Sequence, residues 1–331
     1  LGARPRSKLR GTRSLQNSTM RLLYMGTPQF AVPPLAALIK AGHEIAGVVT
    51  RIDKPAGRGR TVTAPPVKLF AVERGLAVFQ PKRVRDPEFL DTLRRLEPEA
   101  IVAAAYGQIL PAAVLHLPRY GCINIHASLL PAYRGAAPIN WAIIRGEERT
   151  GITIMQMDEG MDTGAVLLQE SIRIDPEDTA GTLTEKLSEL GARLIAEALP
   201  GIVSGALKPV AQDNARATLA PLLKKEDGLI DWTLPAKDIH DRVRGFTPWP
   251  GAYTFLEGTM VKLLKTGVAP GSLAAGVIAA KGNTLEVGTG KDLIRLVTVQ
   301  PAGKKPMAAG DFLRGHRITA GTKFEAPISK S

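Results

Sequence analysis

Asn124 and His126 stand two residues apart in the apolar run Cys122 to Ile125, which gives way to Ser128-Leu129-Leu130-Pro131. If the run is a strand, its period of two puts Asn124 and His126 on one face and Ile123 and Ile125 on the other. An amide donor and an imidazole then lie side by side at the carboxyl end of a strand, the edge at which open α/β sheets bind ligands. A carboxylate, Asp162, follows in Gly160-Met161-Asp162-Thr163-Gly164. Together the three offer hydrogen-bond donation, orientation and proton acceptance, which are the components of polar catalysis.

Each also has a plainer reading. A lone strand histidine is often a satisfied core residue, and Asp162 in isolation reads as a solvated acid in a hairpin turn. Cys122 shares the parity of Asn124 and His126, but no basic residue or helix N-terminus is evident beside it, so it reads as a buried structural cysteine. It is the only cysteine, which excludes an internal disulfide and a multi-cysteine zinc site. His43, His116, His240 and His316 are scattered, and no metal is expected. The turn Gly26-Thr27-Pro28 carries one glycine where a dinucleotide fingerprint needs three, which disfavours a nicotinamide cofactor.

The elements that must position these residues alternate strand and helix. Arg21 to Gly26, Glu44 to Thr50, Ala100 to Ala104 and Cys122 to His126 read as strands. Phe30 to Ala41, Pro65 to Arg74, Asp86 to Leu96 and Gly135 to Arg145 read as helices between them, the pattern of parallel β-α units. Gly151 to Asp158 and Val166 to Ile174 are strands flanking the Asp162 loop. A long helix closes the unit, with Thr182-Leu183-Thr184-Glu185 as its capping box and Leu183, Leu187, Leu190, Leu194 and Ala198 as a core-facing stripe. Ala206 to Leu223 shows no period and reads as a surface connector. Met260 to Lys265, Ala274 to Ala280, Thr284 to Val287 and Leu293 to Val299 are short strands divided by glycine, which suggests a small barrel.

Length favours two domains, and no apolar run reaches the roughly 18 residues of a membrane span. The formal charge of +12 is unevenly spread. Residues 1–19 carry five bases and no acid, residues 20–224 carry 23 against 21, and residues 225–331 carry 15 against 10. A basic C-terminal third suits a phosphate-bearing partner. So does the segment Arg51 to Arg60, where Arg51, Lys54, Arg58 and Arg60 stand among glycine and proline that forbid regular structure. Met20 reads as the working start, with residues 1–19 a disordered extension; an organellar transit segment has a similar composition.

Taken together the residues resemble the methionyl-tRNA formyltransferases, from about Met20 to about Phe312. The resemblance rests on Met25-Gly26-Thr27-Pro28, Asp53-Lys54-Pro55-Ala56-Gly57-Arg58-Gly59, Asn124-Ile125-His126-Ala127-Ser128-Leu129-Leu130-Pro131, Tyr133-Arg134-Gly135-Ala136-Ala137-Pro138-Ile139, Gly151-Ile152-Thr153-Ile154-Met155 and Asp162-Thr163-Gly164. Pro248-Trp249-Pro250-Gly251 and Gln300 to Met307 resemble the C-terminal barrel of the tRNA-specific branch. Lys54 stands where arginine is usual, and Ala132 where a basic residue often follows the proline. The resemblance implies an α/β fold: a Rossmann-like formyltransferase domain with a mostly parallel sheet over residues 20–205, a linker at 206–224 and an OB-like β-barrel that binds tRNA over 225–331.

By the same resemblance, Asn124, His126 and Asp162 are catalytic, and Ser128, Leu129, Leu130 and Pro131 line the pocket for 10-formyltetrahydrofolate. Arg51, Lys54, Arg58, Arg60, Lys304 and Lys305 contact methionyl initiator tRNA. The implied enzyme is a bacterial cytoplasmic monomer. In formyl transfer an α-amine attacks the formyl carbon, so an oxyanion and an ammonium develop together. Asn124 would donate to the first, His126 would add a donor or orient the formyl group, and a partly desolvated Asp162 would take the ammonium proton and keep His126 in place. Three readings compete: a formyltransferase acting on a nucleotide-linked amino sugar, an RNA-binding module on a dead scaffold, and an NAD-dependent oxidoreductase.

Overall fold

The computed structural model describes residues 19–56, 61–316 and 318–325; the expected extension at 1–19, save Thr19, lies outside them. The chain opens with β1 (Arg21–Gly26), α1 (Val32–Lys40) and β2 (Glu44–Val49). A small hairpin of β3 (Lys54–Ala56) and β4 (Thr61–Thr63), α2 (Pro66–Glu73) and β5 (Val78–Phe79) follow. Next come α3 (Pro87–Leu96), β6 (Ala100–Ala104), α4 (Ala112–Leu115) and β7 (Cys122–His126). After β8 (Arg134–Gly135) and α5 (Pro138–Ile144), the hairpin of β9 (Arg149–Gln156) and β10 (Val166–Arg173) leads into the 24-residue α6 (Ala180–Val203).

Seven of these strands form one sheet in the order β10-β9-β7-β6-β1-β2-β5. The five from β5 to β7 are parallel, while β9 runs antiparallel to β7 and β10 antiparallel to β9. From β1 the chain winds outward to β2 and β5, then crosses back to β6 on the other side, so the parallel strands present their carboxyl ends along one edge. Both faces are covered. Leu22, Tyr24, Ile123 and Ile125 join Leu183, Leu187, Leu190, Leu194 and Ala198 of α6 in one core. Leu23, Met25, Ile101 and Cys122 join Phe89 and Leu93 of α3 in the other. Full burial of each leucine on the α6 stripe contributes about 1.5–3 kcal/mol.

The second half starts with β11 (Leu219–Ala220), which pairs in parallel with β8, and continues through α7 (Ala236–Gly245). The strands β12 (Ala252–Leu256), β13 (Thr259–Ala269), β14 (Ile278–Lys281), β15 (Thr284–Gly288), β16 (Leu293–Pro301) and β17 (Met307–Ala308) precede α8 (Ala309–Gly315). They form an antiparallel sheet in the order β12-β13-β16-β15-β14, with β17 on β16. Among the described residues no ladder joins β12 to β14. Residues 322–325 bridge them instead: Phe324 N–H donates to Gly276, Ile278 N–H to Thr322 and Glu325 N–H to Phe255. Ala137 and Ile144, at the ends of α5, belong to the core of this half, and Asn140 Nδ2 donates to the Gly245 carbonyl at 2.8 Å. The two halves therefore share packing.

Four expectations are corrected. The capping box lies one turn earlier, because Thr179 Oγ1 accepts from Thr182 N–H and Thr182 Oγ1 accepts from Thr179 N–H. The helix expected from Gly135 begins at Pro138, because Gly135 has φ +125° and pairs with Ala220. The basic segment is partly regular: Lys54–Ala56 pairs with Thr61–Thr63, and a two-stranded ribbon consists of edges that tolerate Pro55. Finally, Ala206 to Leu223 does more than connect, since Val210 exchanges both backbone hydrogen bonds with Val166 and β11 extends β8.

Gly191 lets α6 approach β7, because a Cβ there would lie 2.8 Å from Ile125 Cγ2. Gly191→Leu is expected to cost about 1–3 kcal/mol through overpacking, measured as a lower denaturant midpoint at unchanged slope.

Candidate active site

β7 delivers the strand alternation expected of it. Ile123 and Ile125 point into the core beneath α6, and Asn124 and His126 share the opposite face with Cys122. Cys122 is buried, its Sγ lies 3.6 Å from the Val114 carbonyl, and burial pushes its thiol up to about 12. Burial of this kind suits a structural cysteine rather than a nucleophile. Among the described residues no cluster of three His, Cys, Asp or Glu side chains could hold a metal ion.

Asp162 meets His126 across the sheet's edge. The β9–β10 turn carries it back over β7, with Asp162 in the left-handed region at φ 55°, which aspartate tolerates better than most residues. Its Oδ1 lies 3.5 Å from His126 Nδ1, a contact rather than a hydrogen bond, and its Oδ2 accepts from Gly135 N–H at 2.8 Å. The other ring nitrogen, Nε2, lies 3.0 Å from the Tyr133 carbonyl. A carbonyl only accepts, so Nε2 carries the proton, and both ring nitrogens face protein groups. With Nε2–H committed to the Tyr133 carbonyl, Nδ1 donates to the Asp162 carboxylate only when the ring carries both protons. Asn124 differs: it is half-buried, and among the described residues its amide has no hydrogen-bond partner.

The segment after β7 is built around Thr153. Its buried Oγ1 donates to the Ser128 carbonyl at 2.6 Å and accepts from Leu130 N–H at 3.1 Å and Gln169 Nε2 at 2.8 Å. Gln169 also donates to the Leu130 carbonyl, and Ser128 Oγ donates to the Ala132 carbonyl at 2.6 Å. Ser128 and Leu130 are buried, while Leu129 and Pro131 keep exposed surface. The polar groups of this segment are thus turned inward, leaving an apolar wall.

Sequence reasoning missed the residues that brace this site. Arg134 is buried, and its guanidinium bonds neutral amides, Gln212 Oε1 at 2.8 and 3.1 Å and Asn214 Oδ1 at 2.8 Å. Gln212 in turn donates to the carbonyls of Asp162 at 2.8 Å and Gly164 at 2.7 Å. Thr218 Oγ1 accepts from Tyr133 N–H, and Tyr133, at φ 62°, donates its phenol to Glu147 at 2.5 Å. Burial, reinforced by Glu147, pushes that phenol up to about 12, so it stays protonated.

Of the expected tRNA contacts, Arg51, Lys54, Lys304 and Lys305 lie among the described residues. Asp53 anchors the base of the basic segment, where Lys68 and then Gln80 donate to it and hold its carboxyl below the usual range. Half-buried Arg51 offers its carbonyl to Gln80, and Lys54 is exposed; Arg58 and Arg60 lie outside the described residues. Lys304 and Lys305 are exposed in the turn between β16 and β17, where Gln300 Nε2 donates to the Lys304 carbonyl. Thr153→Val keeps the shape but strands the Ser128 carbonyl and the Leu130 N–H. It is expected to destabilise the fold by about 1–3 kcal/mol, measured by chemical denaturation.

The formyl transferase family matches residues 20–199, and the formyl transferase C-terminal domain matches residues 222–317. A methionyl-tRNA formyltransferase of Geobacter metallireducens is 50% identical over 306 residues, which is 92% of this chain and 98% of that protein. One from Citrifermentans bemidjiense is 48% identical over 303 residues, 91% of this chain and 95% of that protein. Among solved structures, the sugar 3N-formyl transferase WlaRD, crystallised with dTDP and 5-N-formyl-THF, superposes with a TM-score of 0.63 at 19% identity, covering 87% of this chain and 99% of its own. HypX of Aquifex aeolicus in complex with tetrahydrofolic acid gives 0.60 at 18% identity, covering 89% of this chain and 47% of that one. These structures share the fold, and the sequence relatives decide the branch: this chain belongs to the methionyl-tRNA formyltransferases of the formyl transferase family.

Proposed function

We propose that this chain transfers the formyl group of 10-formyltetrahydrofolate to the α-amino group of methionyl initiator tRNA, for translation initiation. The observation that carries the reading is the Asn124 amide, half-buried and, among the described residues, without a hydrogen-bond partner beside the His126–Asp162 pair. A donor left open at a ligand-binding edge is suited to an oxygen that gains charge during reaction.

In the transfer, the α-amine nitrogen bonds to the formyl carbon and the bond from that carbon to the folate nitrogen breaks. Asn124 Nδ2–H donates to the oxyanion of the tetrahedral intermediate. The ammonium gives one proton to the Asp162 carboxylate, which Gly135 N–H holds in line, and Asp162 passes that proton on to the folate nitrogen as it leaves. Asp162 acts through its position at the carboxyl edge of the sheet; its side chain is 17% exposed. The exposed surfaces of Leu129 and Pro131 offer an apolar wall for the folate, with Ser128 and Leu130 holding that wall from behind.

Arg51, Lys54, Arg58, Arg60, Lys304 and Lys305 are assigned to the tRNA. Lysine at position 54 keeps charge but gives up the planar fork of arginine, so its contact is with phosphate. No helix among the described residues is long and apolar enough to cross a membrane. A reducing compartment such as the cytoplasm fits a chain with one cysteine, and that one buried.

Asn124→Ala is expected to lower kcat about 10²- to 10³-fold at saturating methionyl-tRNA, with a nucleotide-linked amino sugar inert as acceptor to the unaltered enzyme. Wild-type turnover in the variant, or formylation of the sugar in preference to the tRNA, contradicts this reading. Lys54→Ala, Arg58→Ala and the pair Lys304→Ala with Lys305→Ala are expected to weaken tRNA binding. Each lost phosphate contact lowers the slope of log affinity against log salt by about 1.

A further inference from the structure

Resting on the reaction proposed above, we propose that Gln212 is a positioning residue for formyl transfer. Its carboxamide, carried by the segment between the two halves, fixes the loop that holds Asp162.

The β9–β10 turn has little of its own to keep Asp162 in place. Within it, Asp158 Oδ1 accepts from Gly160 N–H and Thr163 Oγ1, and its ends are tied by Gln156 N–H to Ala165 and Met157 N–H to Cys122. None of these bonds reaches the Asp162 backbone. Gln212 does, because its two amide hydrogens go to the carbonyls of Asp162 and Gly164, at 2.8 and 2.7 Å. The amide cannot turn over, since Oε1 takes two N–H groups from Arg134 and a flipped amide would face donors with donors.

Arg134 completes the linkage. It immediately precedes Gly135, whose N–H binds Asp162 Oδ2, so Gln212 braces Asp162 twice, through its carbonyl directly and through its carboxylate by way of Arg134 and Gly135. The segment holding Gln212 is itself docked: Val210 exchanges two 2.8 Å backbone bonds with Val166, and Arg134 N–H donates to the Thr218 carbonyl. Asp162 must keep φ 55° to face His126, so a loosened loop would lose the placement while leaving both substrate surfaces intact.

The test compares Gln212→Leu and Gln212→Glu with the unaltered chain in steady-state formylation of methionyl-tRNA, in thermal unfolding, and in the 15N imidazole signals of His126. Glutamate keeps an acceptor for Arg134 but sets oxygen against the two carbonyls. Both variants are expected to lose kcat about 10- to 100-fold, with KM for methionyl-tRNA within about 3-fold of wild type and the fold retained. The His126 signals are expected to move as the Asp162 carboxylate leaves Nδ1. Wild-type kcat in Gln212→Glu overturns the proposal, as do losses that only track unfolding while the His126 signals stay put. Failure of the unaltered chain to formylate methionyl-tRNA overturns the proposed reaction instead, and the His126 signals still decide the role of Gln212.

Discussion

A carboxylate held on a left-handed backbone, across the edge of a sheet from the imidazole it must face, is the constraint around which this molecule is arranged. Asp162 comes from a turn between two strands that lie outside the parallel part of the sheet, and His126 from the end of the last parallel strand. Their meeting requires β9 to run antiparallel beside β7 and the β9–β10 turn to fold back over the carboxyl edge. It also requires outside bracing, which Gly135 supplies to the carboxylate and Gln212 to the backbone carbonyl. Much of the irregular chain between β7 and α7 exists in these contacts: Tyr133, Arg134 and Gly135 lie against residues 210–220, and Thr153 secures the wall beside them.

This arrangement separates rigid parts from accessible ones. His126, Ser128 and Leu130 are buried with their polar groups engaged, whereas Asn124, Leu129 and Pro131 retain surface. A site that turns its own hydrogen bonds inward and leaves one amide open spends little reorganisation when charge develops at a bound substrate. Of the described basic residues, Arg51 and Lys54 lie at the start of the β3–β4 ribbon, and Lys304 and Lys305 in the β16–β17 turn.

Much of this was legible in the sequence wherever a single element carried the information. β7 runs over the residues its apolar run marks, and its alternation alone separates Asn124 and His126 from Ile123 and Ile125. The leucine stripe of α6 packs as its spacing of three and four demands. What stayed hidden depends on pairs distant in the chain. Gln212 meets Asp162 across 50 residues, and a polar residue in a stretch without period gives no sign of its partner. The start of α6 was misplaced for a local reason: Thr179 and Thr182 both suit a cap, and only the reciprocal bonds between them show which is outside the helix. The ribbon in the basic segment escaped notice because glycine and proline suppress strand signals even where a two-stranded edge accepts them.

The central claim is that Asp162 takes the proton released as the new bond forms. The most direct measurement is the single-turnover rate of formyl transfer with both substrates saturating, for the unaltered enzyme and for Asp162→Asn, which tolerates the same left-handed backbone and keeps an acceptor for Gly135. The chemical step is expected to slow by about 10²- to 10⁴-fold while binding of both substrates holds. An asparagine variant that transfers formyl at the wild-type rate would contradict it.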